Sequence, residues 1–223
     1  MNIIIPSILE KTEEQAEARI RLIEQHAKVA QLDVLDHTFV PYRSFGDAEF
    51  IDKIKPVIQI EVHLMTSIDS EQLRRWDKPW VSKIIFHLKA VEDPAVVIEQ
   101  IKQLGKLAGL ALSPETTLLE AKPFIPLVDT VLIMGVHPGR SGQDLIPSTV
   151  DKVKRLKKLA PNVNIEFDGG VDPESVGSIA RAGANLIISG SFLTPEKFSE
   201  HLQLLTELAN SKSRANSAVE LEA

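Results

Sequence analysis

The sequence predicts an α/β protein folded as a (β/α)8 TIM barrel, and three observations carry that expectation. First, short runs rich in β-branched residues alternate with amphipathic segments along the chain. Eight such pairs fit into about 210 residues, the arithmetic of a compact barrel. Second, no G-x-G-x-x-G turn follows the first apolar run, as a doubly wound dinucleotide-binding sheet would require. Third, strand parity is two-sided. Ile58, Ile60, Val62 and Leu64 share one face, opposite Gln59, Glu61, His63 and Met65. Ile165 and Phe167 likewise oppose Asn164, Glu166 and Asp168. The apolar faces are expected to meet helices and the polar faces to line the barrel axis.

Strands are expected at residues 3–5, 29–35, 57–64, 81–88, 107–112, 130–136, 163–167 and 184–189. Start signals mark the helices between them. Thr12 precedes EEQAEARIRLIEQH, Asp93-Pro94 opens a run to Leu104, and Asp172-Pro173 opens one to Ala182. An acidic cap followed by Pro satisfies free backbone N–H groups and pre-sets the first helical φ. Residues 195–208 supply the eighth helix, so a single barrel domain is assigned to residues 1–209. The remainder, NSKSRANSAVELEA at 210–223, lacks periodicity and is expected to be a flexible tail.

Composition narrows the function classes. A net charge of −6 argues against a nucleic-acid surface. With no cysteine, disulfides and thiolate metal sites are excluded, leaving His, Asp and Glu as strong ligands. No apolar run reaches the ~20 residues of a membrane span. The opening MNIIIPS reads as a first strand, and a cytoplasmic location is expected.

Barrel enzymes place chemistry at the C-terminal ends of their strands. Read along that rim, the sequence offers Ser7, Asp33, His63 with Met65, His87, Met134, Asp168 and Gly190-Ser191. Singly, an Asp there caps a helix and a His or Met packs a core. Together, two aspartates and two histidines converge on one rim. Asp33 and Asp168 lie nearly across the ring, an arrangement that can remove a proton from one face of a carbon and return one to the other. With His63 they can hold a divalent metal that polarises a ketone. Three glycine-bearing loops follow the last three strands: HPGRSGQ (Gly139, Arg140, Ser141, Gly142), DGG (Gly169, Gly170) and SGS (Gly190, Ser191). Any one of them reads as a tight turn; three in adjacent positions point to backbone amides gathered around a phosphate.

These motifs resemble the ribulose-phosphate 3-epimerase family over about residues 3–192. LDVLDHTFVP resembles VDVMDGHFVP, EVHLM resembles DVHLM, FHLKA resembles FHVEA, VLIMGVHPGRSGQDLIP resembles VLIMSVNPGFGGQKFIP, and EFDGGV resembles VDGGI. The resemblance implies a barrel of the ribulose-phosphate-binding type and a metal-dependent isomerase of carbohydrate metabolism, in the pentose phosphate pathway. Such an enzyme interconverts D-ribulose 5-phosphate and D-xylulose 5-phosphate through an enediolate. It further implies one divalent ion (Zn, Mn, Fe or Mg), a sugar-phosphate partner and a homo-oligomer. By position, Asp33 matches the metal-ligating general base, Asp168 the second metal-ligating acid and His63 a metal ligand. Ser7, His63 and the glycine loops match substrate contacts, while Met65 and Met134 match residues covering the reacting carbons, with Leu35 at a third such position.

The chain departs from the pattern around the site. Gln31 stands where the family has its first metal histidine. It is expected to point into the barrel one pleat below Asp33, where its amide oxygen would suit a hard cation better than zinc. His37-Thr38 replaces Gly-His, Tyr42 and His137 replace asparagines, Arg140-Ser141 replaces Phe-Gly, and Lys89 replaces an acid. A non-catalytic sugar-phosphate-binding barrel, or one acting on a ketohexose 6-phosphate, is the alternative reading.

Overall fold

Eight parallel strands hydrogen-bond in chain order and the eighth closes on the first. They are β1 (Ile3–Ile8), β2 (Val29–Leu35), β3 (Gln59–Met65), β4 (Val81–His87), β5 (Leu107–Leu112), β6 (Thr130–Met134), β7 (Asn164–Asp168) and β8 (Leu186–Ser189). The helices between and after them are α1 (Glu13–Glu24), α2 (Ala48–Ile54), α3 (Ser70–Arg75), α4 (Pro94–Gln103), α5 (Leu118–Ala121), α6 (Pro147–Leu159), α7 (Val176–Ala182) and α8 (Phe198–Val219). This is the (β/α)8 barrel that the alternation predicts. The computed structural model describes residues 1–219, with side chains described through residue 211.

Capping chemistry sets the helix starts. Thr12 accepts a bond from the Gln15 amide, and Asp93 accepts from Ala95 and Val96 with Pro94 at the first turn. At Asp172 the structure departs from the sequence reading. Its carboxylate accepts the Glu174 and Ser175 amides, closing a turn of its own, so α7 begins later at Val176. At the C-terminus α8 follows a short 3-10 turn and continues through residues 210–219, which were assigned to the tail. Residues 220–223 lie outside the described residues. No helix among the described residues is long and apolar enough to cross a membrane.

Strand parity sorts the core into two regions. Ile60, Val62 and Leu64 face outward into a continuous apolar layer beneath the helices. Burying each such side chain contributes roughly 1.5–3 kcal/mol. Inside the barrel the apolar set is small: Ile5, Ile85, Ala111, Leu132, Met134 and Ile188. The remaining interior is polar and stacked in two tiers. Register aligns Gln31 with Glu61 and Glu61 with Lys83, and one pleat higher it aligns Asp33 with His63. Buried polar groups are costly unless paired, so each tier demands its own partners. In the lower one, Lys83 Nζ lies 2.7 Å from Glu61 Oε2 and 2.9 Å from Glu166 Oε2.

Candidate active site

The upper tier is assembled from three strands. Asp33 lies near the end of the inward face of β2, His63 sits beside it on β3, and Asp168 ends β7. His63 Nδ1 lies 2.9 Å from Asp33 Oδ1 and 3.6 Å from Asp168 Oδ2. Gln31 spans the gap between the two acids. Its Nε2 donates to Asp33 Oδ1 at 2.9 Å and to Asp168 Oδ2 at 2.8 Å. Gln31 therefore faces inward, as parity predicts, and it is the amide nitrogen that meets the carboxylates. The Gln31 oxygen Oε1 is buried and has no hydrogen-bond partner among the described residues.

Behind His63 lies a chain of hydrogen bonds. His63 Nε2 is 3.0 Å from His87 Nε2, and His87 Nδ1 is 3.2 Å from Ser113 Oγ. Burial alone would lower the His63 pKa, but hydrogen bonds and charge from Asp168 and Asp33 outweigh it and lift the imidazole to about 9. His87 has no carboxylate beside it, so burial and the neighbouring His63 charge hold it well below its usual value. His63 is then an imidazolium donating from both nitrogens. Neutral His87 accepts on Nε2 and carries its proton on Nδ1, facing Ser113. Burial and the Asp168 charge push Asp33 up to about 6, against the hydrogen bonds from His63 and Gln31 that favour its anion.

The donor set fits a divalent cation. One carboxylate oxygen from each aspartate and a His63 nitrogen lie within 4.8 Å of one another. Two carboxylates and an imidazole suit zinc, manganese or iron. The orphaned Gln31 oxygen becomes a fourth donor if the amide turns about its terminal torsion.

Above these groups a narrow cleft of ≈ 60 Å³ is lined by Ser7, Met65, Met134, Asp33, Asp168 and the glycine loops, Gly139 to Gly142, Gly169-Gly170 and Gly190-Ser191. The structure thus brings every rim candidate to one place except His63 and His87, which are buried behind it. The space holds a few waters and is far below an ordinary ligand pocket. A larger cavity of ≈ 1010 Å³ lies outside the barrel by α2 and α3, away from all of these residues. Gly170 shows why its loop needs glycine: φ is +68°, and a Cβ there would lie 2.7 Å from Leu145 Cα.

Several departures from the family pattern compensate one another. The Arg140 guanidinium stacks over the Tyr42 ring at 5.4 Å, joining two replaced positions across the cleft's lid. His137 pairs with Glu115 at 2.8 Å, and Gln143 donates to the carbonyls of His137 and Arg140. His37 adopts φ +73° at the family's glycine position, a conformation strained for a side chain. Lys89 forms an exposed ion pair with Glu120 and leaves the site alone.

Sequence reasoning missed three features. Lys83 in SKIIF gives no hint of its two glutamates, although parity had already turned Glu61 and Glu166 inward. His87 was read as a rim residue without His63 as its partner. Arg19 looked like an ordinary residue of an amphipathic helix.

Comparison with known proteins agrees with this geometry. Residues 3–194 match the ribulose-phosphate 3 epimerase family. A ribulose-phosphate 3-epimerase from Chlamydia trachomatis is 34% identical over 177 residues, 76% of each chain. One from Schizosaccharomyces pombe is 30% identical over 217 residues, covering 95% of this chain and 94% of that protein. Among solved structures, 3-keto-L-gulonate-6-phosphate decarboxylase from Vibrio cholerae superposes with a TM-score of 0.72 at 13% identity, covering 94% of this chain and 98% of its own. At that identity the likeness speaks for the barrel alone. The family match spans nearly the whole chain, and on that ground this protein belongs to the ribulose-phosphate 3-epimerase family, whose members are isomerases.

Proposed function

We propose that this protein interconverts D-ribulose 5-phosphate and D-xylulose 5-phosphate by exchanging the proton at C3 between Asp33 and Asp168. The observation that carries the reading is the pair of carboxylates from nearly opposite strands, joined by one Gln31 amide and opening onto a cleft edged by glycine loops. Asp33, with its pKa near 6, is matched to removing a proton near neutrality. It takes the C3 proton from one face of the sugar and leaves an enediolate. Asp168, which must enter this direction protonated, delivers its proton to the other face; in the reverse direction the two exchange roles and protonation states. Met65 and Met134 border the cleft and shield the reacting carbons from water. Backbone amides of the glycine loops hold the phosphate, and the lid at Gly139 to Gly142 lifts to admit it.

A divalent ion would be held by Asp33, His63 and Asp168, with the Gln31 oxygen turned towards it. When bound, it supplies Lewis-acid polarisation of the ketone and stabilises the neighbouring negative charge. An amide in place of an imidazole favours harder ions such as manganese or magnesium over zinc.

NMR of D-ribulose 5-phosphate with protein and manganese in deuterated water tests the reading. C3 deuteration together with new xylulose 5-phosphate supports it. Exchange only with a ketohexose 6-phosphate would move the substrate, and no exchange with any ketose phosphate would leave a sugar-phosphate-binding barrel. Zinc stoichiometry tests the role of Gln31. Purified protein is expected to carry little zinc and Gln31→His to bind it more tightly; a full, tightly held equivalent in the unmodified protein would overturn that role.

A further inference from the structure

Arg19 on α1 is buried behind the Gly190-Ser191 loop, and the chemistry above makes no use of it. Its side chain is spent on backbone. Nε donates to Ser7 O at 3.1 Å, Nη1 to Leu193 O at 2.6 Å, and Nη2 reaches Gly190 O at 3.4 Å. The guanidinium also lies 5.1 Å from the centre of the Phe198 ring. One cation thereby ties the end of β1 to both sides of the loop after β8.

No carboxylate forms an ion pair with Arg19 among the described residues. Burial lowers its pKa, and Glu10 opposes this only through charge at longer range. A guanidinium stays charged in proteins, and a buried charge without a counter-ion is costly. Such a group calls for a compensating anion nearby.

The surrounding space offers a place for one. A cavity of ≈ 420 Å³ lined by Arg19 and Glu10 adjoins the active-site cleft, and both share Ser7, Leu9, Ser141, Gly190 and Ser191. At their junction Gly190 approaches Ser7 so closely that a Cβ would lie 2.4 Å from Ser7 Oγ. The Gly190 backbone thus packs directly against Ser7 and is held from behind by the Arg19 cation.

We propose that Arg19 is a positioning residue for the substrate phosphate: it holds the Ser7 and Gly190–Leu193 backbone in an anion-binding arrangement, and its charge is balanced when the phosphate arrives. The proposal rests on reading the glycine loops as the phosphate site. Three of its five N–H groups are committed to carbonyls, so it acts chiefly through the loop and by its field.

Calorimetric titration with inorganic phosphate, alongside steady-state kinetics, tests this on the unmodified protein, Arg19→Lys and Arg19→Met. Loss of the charge in Arg19→Met is expected to weaken phosphate about tenfold and to raise KM for the ketose phosphate similarly, with a much smaller effect on kcat. Arg19→Lys, which restores charge without the three-way fork, should recover part of the phosphate affinity even where its melting temperature falls. A mere structural clasp predicts no such recovery, so a Lys variant no better than Met overturns the proposal. Should Arg19→Met fail to fold, the Arg19 Nε–H resonance of the unmodified protein decides: it should shift with phosphate and saturate at the concentration that inhibits turnover, and a resonance that stays put overturns the proposal. Phosphate binding equally to the unmodified and Met proteins removes the role of Arg19 alone. No phosphate binding to the unmodified protein removes the phosphate-site reading as well.

Discussion

The lower tier, Glu61–Lys83–Glu166, and the upper tier, Asp33–His63–Asp168, are built from the same parts one pleat apart. Each has two carboxylates and one base, and β3 and β7 contribute to both. They differ in the base and in access. Below, Lys83 sits between two glutamates whose side chains are 2% and 0% exposed. Burial and the Glu166 charge raise Glu61 well above its ordinary value, against the pull of Lys83. Burial works the same way on Glu166, but the Lys83 charge beside it overcomes that and lowers it. The lower tier is a lysine enclosed between two buried acids. Above, the base is an imidazole, which gives up a proton far more readily, and Asp168 reaches the cleft with 15% of its side chain exposed. A permanent cation turns a pair of acids into scaffold; a titratable one beside an opening leaves them free to trade protons.

The largest expected effect separates the tiers by activity. Asp33→Asn should slow C3 exchange by about 10²–10⁴-fold with the fold intact, since it removes the base. Folded Lys83→Met protein should still exchange the proton. If Lys83→Met abolished exchange and Asp33→Asn spared it, the comparison would be inverted.

Stability separates them in the opposite sense. Lys83→Met leaves two buried acids without their cation and should cost about 3–5 kcal/mol in urea unfolding. Replacing Glu61 and Glu166 by Leu in the same protein should restore most of that, because an apolar cluster needs no partner. A double replacement that failed to help would mean that the lower tier does more than fill space.

The pH dependence of stability sharpens the contrast, measured on chelator-treated protein. His63 has a folded pKa of about 9 against an ordinary 6.5, so the folded state binds the extra proton between those values. Its contribution is complete below pH 6.5 and lost as pH rises through about 9. The His63 part of the slope should be at most about 1.4 kcal/mol per pH unit, and the total slope should shrink in His63→Phe. Asp33, raised from 3.8 to about 6, acts in the same sense at lower pH: stability falls as pH rises through that window. Lys83 is raised rather than lowered, so the lower tier should add no slope from the lysine near neutrality.

His87→Phe should have the smallest effect, about tenfold weaker manganese binding, because His63 loses the acceptor that orients its ring. Unchanged affinity in a manganese titration would show that the His63–His87 bond does not prepare the upper tier.

Much of this was legible along the chain. Alternating strand and helix signals stated the barrel, and period-two parity told which residues face its axis, including Gln31, Glu61 and Glu166. The rim candidates followed from parity and strand ends, helped by motif resemblance. Where a local rule competed with another, the reading slipped. Asp172 closed a turn instead of capping α7.

Partnership was beyond the sequence. Periodicity is imposed by neighbours along the chain, whereas partners inside a closed barrel are chosen by which strands meet across it. Lys83 and Glu166 lie 83 residues apart in sequence, Gln31 and Asp168 lie 137 apart, and Arg19 and Leu193 lie 174 apart. Only closure of β8 on β1 brings such residues within hydrogen-bonding distance. The sequence by itself determined the barrel and the inward set of acids, histidines and Gln31. The tertiary structure decided which acids a lysine ties down and which face a cleft, that the Gln31 nitrogen meets both aspartates, and that Arg19 stands behind the glycine loop. Those decisions rest on burial and charge pairing, which do not exist until the ring is closed.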